Sequence, residues 1–211
     1  MPFAIYMAII AAAFSGLFGV ALGGYFTALN QKRERQHRRI GDQLREFYGP
    51  MLSLRAEILA KSEFRIQISG ASYAAWQALI DGALKAGVDY TNEVVRQRFP
   101  IFEKILEYND RQFAEEILPA YRKMVELLKS KMHFAEFSTI KHFAALLEFV
   151  EIWNRWLDKS LPAEVLEKLK HSEQKLYPFY EDLDNNFACM QLALHEKHRW
   201  WHRSPAVKVL P

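Results

Sequence analysis

The run from Pro2 to Leu29, PFAIYMAIIAAAFSGLFGVALGGYFTAL, decides how the rest of the chain is read. It holds 28 consecutive residues without Lys, Arg, Asp or Glu. At about 1.5 Å per residue a helix of that length reaches roughly 42 Å, more than the roughly 30 Å hydrocarbon core of a bilayer. The reading is a single transmembrane helix over residues 1–30, long enough to tilt, with Tyr6 and Tyr25 placed to mark the two interfaces. A cleaved signal peptide carries its positive charge ahead of the apolar run, whereas here Lys32, Arg33, Arg35, Arg38 and Arg39 follow it. This collar, within a basic juxtamembrane helix over residues 31–48, predicts an inner (plasma) membrane protein with its N-terminus outside and its C-terminal domain in the cytoplasm.

Charge is confined in the same way. Residues 31–45 carry six cations against Glu34 and Asp42, a local excess of +4 in a chain of net charge +3. The remainder after residue 45 is close to neutral, so the basicity belongs to a membrane collar, and no direct nucleic-acid contact is expected. Cys189 is the only cysteine, which excludes an internal disulfide and fits a reducing cytosol.

The small residues of the apolar run are patterned. Ala11, Ser15, Gly19, Gly23 and Thr27 recur every fourth position and share one helix face, with Ala12, Gly16 and Gly24 on the adjacent face. Such a groove lets helix backbones approach closely in lipid, where no water drives them together, so a homo-oligomer is expected.

The remaining sequence predicts an all-α fold: the N-terminal transmembrane helix followed by an antiparallel four- to five-helix cytosolic bundle over residues 49–194, then a basic and aromatic C-terminal tail over 195–211. Apolar residues recur at helical spacing in three segments: Ile117, Tyr121, Met124, Val125, Leu128; Phe143, Leu146, Leu147, Val150, Trp153, Leu157; and Leu176, Tyr180, Leu183, Phe187, Met190, Leu194. Gly49-Pro50, Pro119 and Pro178 predict kinks or breaks, Ser69-Gly70 and Gly87 to Thr91 predict loops, and Ser160 is placed to cap a helix whose first turn contains Pro162.

Motifs that carry chemistry are missing. There is no Gly-Lys-Ser/Thr phosphate loop and no His-Glu-x-x-His, and Glu34-Arg35-Gln36-His37 in the collar has no second Glu-x-x-His to pair with as a dimetal bundle requires. No Arg precedes a His at the spacing that helical-bundle ribonucleases use. Cys189 reads as a core residue and His142 as a hydrogen-bonded, half-buried one, while Glu181, Asp182 and Asp184 read as a solvated face. His195, His198 and His202 share a face at i, i+3 and i+7 and are weak metal candidates, short of a complete ligand set, so no metal or other cofactor is expected. Lys197, Arg199, Trp200, Trp201 and Arg203 read either as an exposed helix end or as an interfacial contact with anionic lipid.

At Phe47-Tyr48-Gly49-Pro50-Met51-Leu52 the chain resembles a group of uncharacterised bacterial single-pass membrane proteins that join a membrane helix to a helical cytosolic domain through a Tyr-Gly-Pro-Leu-type motif. The similarity extends through Leu118-Pro119-Ala-Tyr-Arg-Lys-Met124 and the spacing from His142 to Trp153. The layout also resembles the membrane accessory proteins of RNA-targeting CRISPR systems, which implies an inactive helical domain and ring-shaped pore assembly. The expected function is a non-enzymatic, self-associating membrane scaffold or antiviral effector with a cytosolic protein partner. In its pore-forming version the collar makes a cationic ring at the cytosolic mouth. The alternative is a membrane-tethered helical-bundle hydrolase acting on RNA or nucleotides, with His142 or the terminal histidines as acid and base.

Overall fold

A computed structural model describes the backbone of residues 2–201 and the side chains of residues 23–195. Among these residues every regular element is helical. Two compact units are formed, one by residues 45–188, the other by the chain up to Leu44 together with the chain from Cys189. Helix α1 (Pro2–Gln43) belongs to the second unit. No helix among the described residues is long and apolar enough to cross a membrane, and the side chains of residues 1–22, most of the expected membrane helix, lie outside the described set.

Gly49-Pro50 does not break the chain. A π-helical turn over Leu44–Tyr48 runs directly into α2 (Gly49–Ala86), with Pro50 in the first turn. Proline lacks the N–H that would bond the carbonyl four residues back, and its ring crowds that carbonyl. The wider π turn accommodates both defects without ending the helix. The same device recurs at Pro119, where the π turn Phe113–Ile117 leads into α4 (Leu118–Ser130). Pro178 does coincide with a break: it lies in the first turn of α8 (Tyr177–Trp201), after a 3-10 turn over Glu173–Leu176.

Ser69-Gly70 also differs from expectation, lying inside α2. A mid-helix glycine costs only about 1 kcal/mol, too little to end a long helix by itself. The loop expected from Gly87 to Thr91 shrinks to Gly87 alone, at φ 118° and ψ 164°, a region that only glycine enters freely. Helix α3 (Val88–Gln112) then returns antiparallel to α2. The hairpin seam holds Trp76 against Phe99 and Phe102, and Asn109 donates to Ser69 Oγ at 2.9 Å.

After α4, the short helix α5 (Phe137–Ile140) leads into α6 (Phe143–Leu157). Ser160 closes α6 by donating to the Arg155 carbonyl at 3.1 Å; it does not cap α7 (Ala163–Lys168), which Pro162 precedes. The apolar stripe of α4 is buried as expected at Ile117, Tyr121, Met124, Val125 and Leu128. In α6 the buried face is shifted. Leu146 and Val150 are buried, but Phe149 and Ile152 take the places expected of Leu147 and Leu157, which stay 45% and 37% exposed. α6 is apolar around most of its circumference, so spacing alone leaves its rotation open, and contact with α4 and the 173–176 turn selects the face.

Phe149→Ala is expected to cost about 3–5 kcal/mol of unfolding free energy and Leu147→Ala under about 1 kcal/mol. Urea denaturation of the two variants checks this. Equal losses would contradict the assigned rotation of α6.

Candidate functional site

The chemistry-bearing side chains of the 45–188 unit gather where α2 meets α8. Arg55 follows the buried Met51 by one turn of α2 and reaches α8. Its guanidinium donates to Asp184 Oδ2 at 2.5 Å and to the Tyr180 carbonyl at 3.3 Å, and lies 4.7 Å from the Tyr180 ring centroid. Behind that ring, the Tyr121 and Tyr180 hydroxyls both point at one oxygen of Glu173, at 2.7 and 3.2 Å. Burial, more than any neighbouring charge, pushes both phenols far above their ordinary value, so they remain protonated donors throughout the physiological range.

Arg55, Glu173, Tyr180 and Asp184 border a cleft of about 570 Å³, whose rim adds Leu59, Tyr177 and Glu181. Three carboxylates, on Glu173, Glu181 and Asp184, face one guanidinium that is already paired. With tyrosine rings on its wall, the cleft suits a cationic group such as a lysine or arginine side chain. It contains no cysteine, serine or histidine in its lining that would serve as a nucleophile or base.

Of the acidic trio expected to form one solvated face, Glu181 and Asp184 are exposed, Asp184 also pairing with Arg55, whereas Asp182 is part of a half-buried network. In that network Thr139 donates to Asp182 Oδ2 at 2.6 Å, while Asn186 donates to the same oxygen at 3.0 Å. Because the threonine proton goes to Asp182, the Tyr48 hydroxyl 3.0 Å away supplies its own proton to Thr139 and accepts the Glu136 N–H at 3.0 Å. Neither this network nor the Tyr121–Tyr180–Glu173 group is visible as a motif. Tyrosines at helical spacing read as apolar, Thr139 is far in sequence from Tyr48 and Asp182, and Glu173 is far from Tyr121.

His142 is half-buried, as expected, but its Nε2 has no hydrogen-bond partner, and the same holds for His171 Nε2 and Trp153 Nε1. His171 lies against the Phe149 and Trp153 rings at 4.7 and 5.3 Å. Cys189, expected in the core, is exposed. α8 presents it away from the face that buries Leu183 and Met190.

In the other unit, Lys32, Arg35 and Arg39 line one shallow groove of about 420 Å³, whereas Arg33 is outside its lining and Arg38 lies 4.0 Å from Glu34. Thr27 donates to the Gly23 carbonyl at 2.7 Å, and a Cβ built on Gly23 or Gly24 meets nothing within 4 Å. The side chains of Ala11, Ser15 and Gly19 lie outside the described residues, as do His198, His202, Lys197, Arg199, Trp200, Trp201 and Arg203. His195 is exposed. No group of three or more potential ligands able to hold a metal occurs among the described residues. No protein-family model, curated protein or solved structure matches the chain.

Burial holds the pKa of both His142 and His171 below the ordinary imidazole value of about 6.5, with Lys141 and Lys175 acting in the same direction and Asp182 and Glu148 opposing. A depressed folded-state pKa means that the unfolded chain binds more protons below pH about 6.5, so stability is lost as pH falls through that value. The urea midpoint is therefore expected to drop between pH 7.5 and 5.5, and His171→Leu is expected to flatten that slope. A midpoint that holds or rises on acidification would contradict the burial assigned to these rings.

Proposed function

We propose that the protein is a non-enzymatic, self-associating single-pass scaffold or effector of the inner membrane. Residues 1–30 cross the bilayer with the N-terminus outside, and the helical unit after the collar lies in the cytoplasm. The observation that carries this reading is the 28-residue uncharged run, which lies within one uninterrupted helix extending from Pro2 through the basic collar to Gln43. Soluble helices rarely run so long without charge, and cations immediately after an apolar span orient it with that end inside. The open backbone at Gly23 and Gly24 supports close approach of a neighbouring helix. Lys32, Arg35 and Arg39 in one groove suit phosphate headgroups, or a cationic ring at the mouth of an assembled pore. The anionic, tyrosine-walled cleft at Arg55 and Tyr180 is the surface for a basic side chain of a cytosolic protein partner.

In membranes extracted with alkaline carbonate the chain is expected to stay in the pellet, and to be released when residues 2–29 are removed. Blue-native electrophoresis in mild detergent is expected to give a mass of several chains, reduced by Gly19→Leu combined with Gly23→Leu. Release of the intact chain by carbonate, or a monomer mass indifferent to both substitutions, would overturn the proposal.

A further inference from the structure

The hairpin of α2 and α3 carries far more apolar surface than its own seam consumes. Among the described residues 23 large apolar side chains are exposed, and 14 of them fall between Leu59 and Tyr108. Within that stretch only Ala83 is buried. The α2 side of the seam is small and polar, with Ser62, Ser69 and Ser72 half-buried alongside Trp76. The seam therefore removes little apolar area from water, and a two-helix arm of this kind is unstable without a further layer.

The exposed residues are ordered. On α2, Leu59, Ile66, Tyr73 and Leu84 are 50%, 69%, 66% and 58% exposed and lie near whole numbers of helical turns from one another. On α3, Val88, Val95, Phe99 and Leu106 do the same at intervals of seven, four and seven, Phe99 meeting Trp76 in the seam while staying 43% exposed. Leu59, Ile66, Tyr73 and Leu84 on α2 each follow directly on a buried or half-buried residue (Ile58, Arg65, Ser72, Ala83), as do Val95 and Leu106 on α3 (Val94, Ile105), so each stripe is turned from the seam in the same sense along its own chain. Because the helices are antiparallel, that common sense brings both stripes to one broad side of the hairpin.

We infer that this side is the contact surface for the same side of a second copy, the two hairpins closing into a four-helix bundle. The inference rests on the self-associating reading above and adds to it an association surface separate from the membrane helix. Area supports it: eight large side chains at these exposures, at about 200 Å² each, present on the order of 900 Å², against roughly 800 Å² per partner in a stable complex. Charge supports it as well. Residues 59–108 hold six cations and six anions, a neutral balance that gives no attraction to anionic lipid or nucleic acid, and charges spread along both helices bar burial in hydrocarbon. Both helices contribute stripes of equal size to the face, so a rotated copy presents a matching surface.

The test is photo-crosslinking of the purified full-length chain in neutral phosphatidylcholine vesicles, with benzoylphenylalanine in place of Tyr73 or Phe99, and of Phe137 as an exposed control outside the arm. Tyr73 and Phe99 sites are expected to give an adduct of twice the 24.7 kDa chain, and the Phe137 site is not. The adduct is expected to vanish on Val95→Glu with Leu106→Glu and to persist with Gly19→Leu and Gly23→Leu. Adducts to lipid alone, no dimer-mass adduct from either arm site, or loss of the adduct with the membrane-helix variant would overturn the inference. In the first two cases a blue-native mass still sensitive to Gly19→Leu and Gly23→Leu would leave the membrane-scaffold reading standing.

Discussion

The hydroxyl of Tyr48 is the point on which the 45–188 unit turns. It sits at the end of the first π turn, fully buried, and joins that turn to Thr139 and the Glu136 backbone. Thr139 passes the connection to Asp182 and Asn186 on α8. Three segments separated by long stretches of chain are thereby fixed by a small set of short, mutually satisfied bonds in low dielectric, where leaving any member unpaired costs about 1–3 kcal/mol. The π turn is part of the same constraint. It keeps the chain helical through Pro50 while rotating Phe47 and Tyr48 into the interior.

The helical class and the stripe from Ile117 into α4 were legible because Arg122, Lys123, Glu126 and Lys129 mark the opposite side of that helix as polar. The sequence reading failed where local punctuation was weaker than packing. Gly49-Pro50 and Pro119 read as kinks or breaks and are met by π turns that leave the helix continuous, while Ser69-Gly70 read as a loop and lies inside α2. For α6 the same apolar richness that announced a helix hid its rotation. The site was less legible than the fold. Arg55, Glu173 and the two tyrosines converge only through tertiary contact, and a tyrosine counted as a core residue gives no sign of the hydroxyl chemistry behind it.

The α2–α3 arm shows the reverse relation between sequence and structure. α2 is apolar on many sides and α3 is amphipathic, so between them they carry more apolar surface than one seam can bury. The structure projects the arm as two helices with one thin seam, so the surplus becomes a property of the molecule's surface. On the proposed reading, the uncharged N-terminal run and this arm would be two separate association surfaces, one of small residues suited to lipid and one of broad aliphatic stripes suited to water-driven burial. Elsewhere, charged groups such as Arg55 and Asp184 are paired with one another.

The central claim is that the arm is covered by other copies of the chain. Amide hydrogen exchange across residues 59–108, measured on the chain in vesicles at rising protein-to-lipid ratio, tests it most directly. The account predicts that protection of the arm increases with surface density while that of the core helix Leu118–Ser130 stays constant. Arm amides that exchange at one rate across the whole density range would contradict it.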